Sequence, residues 1–221
     1  MRIVVLSFDD GTIYDKGFIE LLDKYHLSAT LNLNSGLDDY VWYYEDKFKI
    51  ERLTLKDNVE LYKNHEVASH TFKHQMLTEL SKDEIIFEVN EDIKRLSKTF
   101  NRKIESFAIP FDKYTEEIVQ IIKNNCPVSN IRVSEFADRP VPLDRYHIGI
   151  NALYDDSDIY EKLDRFSKNT YPNSLFVIAG HAYEFEVKND WGKIETLLKY
   201  LADNKDIKVM TMKDAVKVLF D

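Results

Sequence analysis

Cysteine is all but missing from this sequence. Cys126 stands alone among 221 residues, so no intramolecular disulfide can form and no paired-thiol metal site is available. Glycine and proline are scarce as well, at six and five, and no stretch has the composition of a flexible linker, a repeat or a low-complexity tract. The expected organisation is one domain spanning residues 1–221. Long apolar runs are absent too: the opening Met1-Arg2-Ile3-Val4-Val5-Leu6-Ser7-Phe8 is too short for a signal-peptide core or a membrane span. As written, this predicts a cytoplasmic protein, or a secreted one if a leader has been removed. Basic excess is the last absence. A formal net charge of −9 repels phosphate backbones and anionic lipid surfaces, and no Lys/Arg cluster overrides it, so neither nucleic acid nor membrane is expected as a partner.

What is present is 44% hydrophobic and 31% charged residues, enough to bury a substantial core. Short runs rich in β-branched and aromatic residues alternate with longer amphipathic stretches, the pattern of βα units around a largely parallel sheet or barrel. The strand candidates are Ile3–Phe8, Ala29–Leu33, Glu66–Ser69, Ser106–Ile109, Val128–Val133, Leu175–Ala179 and Ile207–Met210, about seven in all. Helical periodicity covers Lys16–Tyr25, Leu55–Asn64, Lys82–Thr99, Thr115–Lys123, Trp191–Asn204 and Lys213–Phe220. In the third of these Ile85, Ile86, Val89, Ile93 and Leu96 form a core face, with no function read into it. Asn34–Thr54 and Ser134–Asp158 fit neither period, are aromatic and acidic, and are expected to be loops framing a site.

Asp9 and Asp10 close the first strand candidate, with Gly11 after them. That is the carboxyl rim where barrel enzymes place their chemistry. Neighbouring strand residues face opposite sides, so the two carboxylates should take different roles unless the turn at Gly11 redirects one. Asp-Asp-Gly is also ordinary turn or capping chemistry, and both readings stand on this motif alone. His70 and His74, in His70-Thr71-Phe72-Lys73-His74, share a face if the segment is helical. Two imidazoles and one carboxylate make a three-ligand site with room for water that accepts several divalent ions; a surface or core histidine pair is the alternative. His181 ends Leu175-Phe176-Val177-Ile178-Ala179-Gly180-His181, again at a carboxyl rim, where Gly180 permits close approach.

These blocks resemble the polysaccharide deacetylases of the NodB-homology type, carbohydrate esterase family 4. Ser7-Phe8-Asp9-Asp10-Gly11 is similar to its first motif, His70-Thr71-Phe72-Lys73-His74 matches its second unchanged, Ala108-Ile109-Pro110-Phe111-Asp112 is similar to its third, and Leu175–His181 to its late histidine motif. The resemblance covers nearly the whole chain. It implies a distorted, incomplete (β/α) barrel in which Asp10, His70 and His74 bind a divalent metal, often zinc, with cobalt, nickel or manganese also compatible. It further implies Asp9 as general base and His181 as general acid. The expected substrate is an N-acetylated sugar or glycan, contacted by Pro110, Phe111, Arg132, Tyr183 and Trp191, with the Phe111 backbone N–H completing the oxyanion site.

One departure stands out. The family arginine that orients the catalytic aspartate is replaced by Ala108, and Arg132 is either its substitute or a surface residue. Asp144 and Trp191 are the candidates for the family's aspartate and tryptophan near the acid histidine. Tyr183 and Glu184 either contact a sugar or pack as ordinary loop residues. Three rivals remain at this level: a same-fold amidase on a non-sugar amide, a carbohydrate-binding protein without turnover, and a metal-stabilised structural domain. Oligomeric state is unspecified.

Overall fold

The computed structural model describes residues 1–111, 113–137 and 139–221. Asp112, the last residue of the third motif, lies outside the described residues. The first strand, β1 (Arg2–Asp9), is buried from Ile3 onwards, as expected of a central parallel strand with both faces covered. Its side chains alternate. Val4, Leu6 and Phe8 join a large cluster under the helices, including Phe18, Leu22, Val89, Phe107, Ile131 and Leu197. Ile3 and Val5 join a second cluster with Ile148, Ile150, Leu175, Val177 and Ala179.

The remaining strands are β2 (Thr30–Leu33), β3 (Val41–Tyr44), β4 (Phe48–Glu51), β5 (Glu66–Ser69), β6 (Ser106–Ala108), β7 (Asn130–Phe136), β8 (Ile148–Ile150), β9 (Ala152–Leu153), β10 (Ser174–His181) and β11 (Lys208–Met210). The main sheet runs β8-β7-β6-β5-β2-β1-β10-β9 with parallel pairing throughout, and β11 pairs the start of β1 below β2. Strands β8 and β9 are separated by Asn151 alone, so one short segment pairs β7 with its first half and β10 with its second. Asn151 bridges that seam: its Oδ1 accepts from the Val177 amide (2.8 Å) and its Nδ2 donates to the Ala137 carbonyl (3.3 Å). The result is a nearly closed, distorted (β/α) barrel of eight strands.

All seven expected strands are present. The four that sequence periodicity missed lie in the two segments expected to be loops: β3 and β4 form an antiparallel hairpin within residues 34–54, and β8 and β9 lie within 134–158. Strands of two to four residues are too short to show a period. On the β2, β5, β6 and β7 side the second cluster gives way to polar groups. Glu66 accepts hydrogen bonds from Thr30 (2.8 Å) and Ser106 (2.5 Å), and Ser106 accepts one from Asn130 (2.8 Å), so these buried groups satisfy one another.

Helices α1 (Asp15–Lys24), α2 (Lys82–Phe100), α3 (Glu116–Asn125), α4 (Ile159–Ser167), α5 (Ala182–Val187), α6 (Trp191–Asp203) and α7 (Met212–Phe220) complete the chain. Helix α2 starts with a capping box, Ser81 with Glu84, and ends at Asn101 in the left-handed conformation, as its sequence dictates. Leu55–Asn64 is corrected from helix to two 3-10 turns, Leu55–Asp57 and Val59–Tyr62. Two short helices were not anticipated, α4 and α5, the latter springing directly from His181. Among the described residues no helix is long and apolar enough to cross a membrane.

Asp15, at the first turn of α1, is 1% exposed and accepts hydrogen bonds from the Tyr62 hydroxyl (3.0 Å) and the Thr12 amide (3.1 Å). Burial pushes its carboxyl up to about 7 against those two donors, with the Asp10 charge adding to the rise. The folded state therefore holds a proton that the unfolded chain has already released. Stability should fall as pH rises from about 4 to about 7, because the native state binds more protons in that window. Asp15→Asn should flatten this part of a Tm-against-pH curve. A variant curve parallel to wild type would show that Asp15 ionises freely in the folded protein.

Candidate active site

Strand register brings the first-motif acid between two partners. Asp9 is opposite His181 across β1 and β10 and opposite Asn32 across β1 and β2. Both carboxylate oxygens of Asp9 are engaged: Oδ1 accepts from Asn32 Nδ2 at 2.7 Å, and Oδ2 from Arg132 Nη2 at 2.7 Å. Arg132 is 4% exposed, so the surface alternative is corrected. It reaches Asp9 because β7 enters the barrel on the far side with this side chain pointing inward. Burial works to raise the Asp9 pKa, but Arg132, His70 and His181 outweigh it and hold the carboxyl below its usual range.

Asp10 follows with φ +86° and Gly11 with φ +67°. Two successive left-handed residues swivel the chain out of the strand alternation, and Asp10 turns into the same cleft as Asp9. Gly11 is required twice over, since an added Cβ would stand 2.9 Å from Leu33 Cδ2 as well as sitting at positive φ. Asp10 Oδ1 is bound by Arg52 Nη2 at 2.9 Å, and Arg52 Nη1 donates to the Asp10 carbonyl and to Asn34 Oδ1. Burial would raise the Asp10 pKa; Arg52, then His181 and His74, instead bring it well below the carboxylate range.

His70 and His74 do not lie on a helix. They flank a loop with left-handed backbone at Thr71 (φ +68°) and His74 (φ +51°), and their rings come within 4.9 Å, centroid to centroid. His70 Nδ1 lies 2.9 Å from the Ala108 carbonyl. A carbonyl only accepts, so Nδ1 carries the proton and Nε2 keeps its lone pair for the cleft. Burial drives His70 down to about 4 despite the neighbouring Asp9, and lowers His74 as well; both are neutral near pH 7.

The ligand atoms of Asp10, His70 and His74 lie within 4.8 Å of one another. One ionised carboxylate and two neutral imidazoles, one with its tautomer fixed by a carbonyl, fit a divalent metal. His181 Nε2 is 3.9 Å from Asp10 Oδ2, and its Nδ1 is 3.5 Å from Glu184 Oε2. Burial works to lower the His181 pKa, but Glu184, Asp10 and Asp9 outweigh it and raise it to about 9. Glu184 is thus the group beside His181, held in turn by Lys188 at 3.0 Å.

All of this faces a cleft of about 850 Å³, whose walls include Phe111, Arg132, Tyr183 and Glu184. Two expected substrate contacts are corrected. Trp191 sits behind α5, packed on Phe185 at 5.2 Å between ring centroids and hydrogen-bonded to Glu186; it heads α6, whose start faces α1 rather than the cleft. Pro110 is buried in the chain between Ile109 and Phe111, and only those two neighbours line the cleft. Nor does Asp144 approach His181: it accepts from the Tyr146 amide and faces Lys123.

Besides Asn32, four buried or bridging residues were not anticipated. Asn34 donates to the carbonyls of His70 and Thr71. Asp92, on α2, accepts from Ser35 N (2.7 Å), Ser35 Oγ (2.6 Å), Ser69 Oγ (2.6 Å) and His70 N (3.2 Å). One turn earlier, the Glu88 carboxylate accepts from the Lys73 amide and the Glu88 backbone carbonyl from the Phe72 amide. Arg52 is the fourth. The spacing of Ile85, Glu88, Val89, Asp92, Ile93 and Leu96 contained the signal, since two acids fall inside an apolar stripe.

Comparison with known proteins gives the family and the fold. The polysaccharide deacetylase family model matches residues 1–126, more than half of the chain, while no curated protein matches its sequence. Among solved structures, the Xyl-CE4 domain of a multidomain xylanase from the hindgut metagenome of Trinervitermes trinervoides is 15% identical, with 98% of this chain and 90% of that one covered and a TM-score of 0.63. The family 4 carbohydrate esterase from Streptomyces lividans is 13% identical, with 94% and 91% covered and a TM-score of 0.58. BA3943 from Bacillus anthracis, a pseudoenzyme of the same family, is 18% identical over 97% of this chain and 65% of its own, with a TM-score of 0.58. At these identities the solved structures show the shared fold, and the family match covers the segment carrying Asp9, Asp10, His70 and His74: the chain belongs to the polysaccharide deacetylase family.

Proposed function

We propose that this protein is a metal-dependent N-deacetylase that hydrolyses the acetamide of an N-acetylated sugar. The observation that carries the reading is the pairing of opposed acid and base groups around one donor cluster. Asp9, ionised and fixed by Arg132 and Asn32, lies on one side of Asp10, His70 and His74; His181, raised to about 9, lies on another. A purely structural metal site has no use for either.

When bound at Asp10, His70 and His74, a divalent metal such as zinc supplies Lewis acidity at the amide carbonyl and eases deprotonation of a water. Asp9 takes the proton from the attacking water. Its two oxygens offer about four acceptor positions, and Arg132 and Asn32 occupy one each, so acceptor capacity remains. As the C–N bond breaks, His181 delivers a proton from Nε2 to the departing amine nitrogen, leaving acetate and a free amino sugar. The Phe111 backbone N–H is assigned to the developing oxyanion.

Acetate release from chito-oligosaccharides should be lost after chelation, restored by zinc, and reduced by roughly 10²- to 10⁴-fold in Asp9→Asn, the range for removing a general base. Equal release from wild type, variant and chelated protein would sink the mechanism. A second reading, a carbohydrate-binding protein without turnover, is favoured by one contact: Arg52 already neutralises Asp10 at 2.9 Å, as a cation would. Oligosaccharide binding without acetate release, at a zinc-to-protein ratio near zero, is the result it predicts.

A further inference from the structure

We propose that Arg52 is a resident counter-ion of Asp10: it holds the metal-free site together and, by staying in place when a divalent metal enters, makes that metal weakly held and exchangeable. This rests on the metal site of the reading above and adds to it how firmly the site is filled.

Arg52 directly follows β4, and its backbone is locked to the turn that carries Asp10. Arg52 N donates to the Tyr40 carbonyl, Leu53 N to the Gly11 carbonyl and Ile13 N to the Glu51 carbonyl, each at 2.9 Å, and Thr12 and Arg52 form an isolated antiparallel bridge. The side chain is as constrained. Nη2 donates to Asp10 Oδ1 at 2.9 Å, Nη1 donates to the Asp10 carbonyl and to Asn34 Oδ1, and the Trp42 ring covers the guanidinium at 5.2 Å. Asn34 donates in turn to the carbonyls of His70 and Thr71. One guanidinium therefore ties the Asp10 turn to the loop that carries both histidines. At 5% exposed, it cannot turn out to solvent without breaking all of these contacts.

The carboxylate oxygen that Arg52 holds is also the one that faces His74: Asp10 Oδ1 lies 3.4 Å from His74 Nε2, whereas Oδ2 lies 3.9 Å from His181 Nε2. A metal gathered by Asp10 and His74 shares Oδ1 with the guanidinium. Charge points the same way. Asp9 is paired with Arg132 at 2.7 Å and Asp10 with Arg52 at 2.9 Å, and burial keeps His70 and His74 neutral, so these residues sum to zero and leave a divalent cation uncompensated. Two cations beside one buried carboxylate repel each other, and little water is present to screen them. Without a metal, the same guanidinium keeps Asp10 from being a stranded buried anion. Asp10 thus has a cation in either state, and losing the metal leaves it paired.

Zinc affinity, measured by competition with a chromophoric chelator, and Tm with and without zinc test this in wild type, Arg52→Gln and Arg52→Lys. Arg52→Gln should bind zinc roughly 10- to 100-fold more tightly than wild type, since the repelling charge is gone. Its metal-free Tm should be lower and its gain in Tm on adding zinc larger, because the metal then replaces the missing cation. Arg52→Lys keeps the charge and should stay near wild-type affinity, which separates charge from packing. An Arg52→Gln chain that folds only with zinc would support the proposal in its strongest form. Equal or weaker zinc binding in Arg52→Gln, or equal tightening in Arg52→Lys, would overturn it, as would an Arg52→Gln chain unfolded both with and without zinc. Zinc binding by wild type with unchanged affinity in Arg52→Gln leaves the metal-dependent reading intact; no zinc binding by any of the three overturns both.

Discussion

Arg132→Met should abolish most of the activity, lowering kcat/KM on a chito-oligosaccharide by roughly 10²- to 10³-fold, comparable to losing a positioned base or a fixed electrostatic partner. The reason is electrostatic. Arg132 and Asp9 are 5% and 10% exposed at their side chains and meet at 2.7 Å, and removing one partner strands the other charge in a poorly hydrated interior. Breaking a buried pair in this way costs about 3–5 kcal/mol. Part of that cost should appear as a lower Tm and part as Asp9 taking up a proton, which removes the base. Lysine at 132 should rescue poorly, since its shorter, flexible side chain supplies the charge without fixing a donor where Arg132 Nη2 meets Asp9. Zinc affinity, measured by competition with a chromophoric chelator, should change far less than kcat/KM, because Arg132 touches none of Asp10, His70 and His74. A variant with near-wild-type kcat/KM would show that Asp9 needs no cationic partner.

The second large effect is expected at Asp92, which touches no substrate. Its carboxylate collects four hydrogen bonds from Ser35, Ser69 and His70, so it ties the ends of β2 and β5 to α2 and sets where His70 leaves the strand. It is fully buried, and that burial pushes its carboxyl up to about 7 even against those donors. Asp92→Ala leaves the donors unpaired. At about 1–3 kcal/mol for a buried unsatisfied group, a loss of about 3 kcal/mol overall corresponds to a Tm lower by roughly 6–12 °C for a chain of this size. Zinc affinity should fall by roughly 10- to 100-fold, the usual effect of disturbing a ligand's supporting shell. Asp92→Asn keeps one acceptor oxygen and should recover the Ser35 contacts but not both Ser69 and His70. An Asp92→Ala protein that lost stability yet bound zinc as wild type would confine Asp92 to a structural role.

Arg132 and Asp92 show what local sequence can and cannot carry. The side chains at strand ends were legible because a buried parallel strand is a short apolar run, and the residue that terminates it sits at the rim: Asp9, His181 and the His70–His74 loop were all located this way. The βα alternation was legible for the same reason. Pairings between distant segments leave no such trace. Arg132 is 123 residues from Asp9 and Arg52 is 42 from Asp10, and an inward-facing arginine on a strand reads locally like an outward-facing one. Glu88 and Asp92 were partly visible as acids within the apolar stripe of α2, although only the fold shows which backbone amides they accept from. Trp191 misled because an aromatic at a helix start resembles a platform until its neighbours are known.

By itself, then, the sequence determined the order of seven strands and five helices, since each depends on periodicity within a few residues, while the barrel class and the donor set Asp10, His70 and His74 are what the resemblance of its motifs to a known family implies. Tertiary structure decided how Asp9 and Asp10 share one cleft, through two left-handed residues held by Arg52 and Leu33. It also supplied, from a strand across the barrel, the guanidinium for Asp9 that the third motif lacks at Ala108. A buried carboxylate whose pKa is to stay below its usual range needs a cation near it in space, and closure of the barrel brings one there whatever its place in the chain.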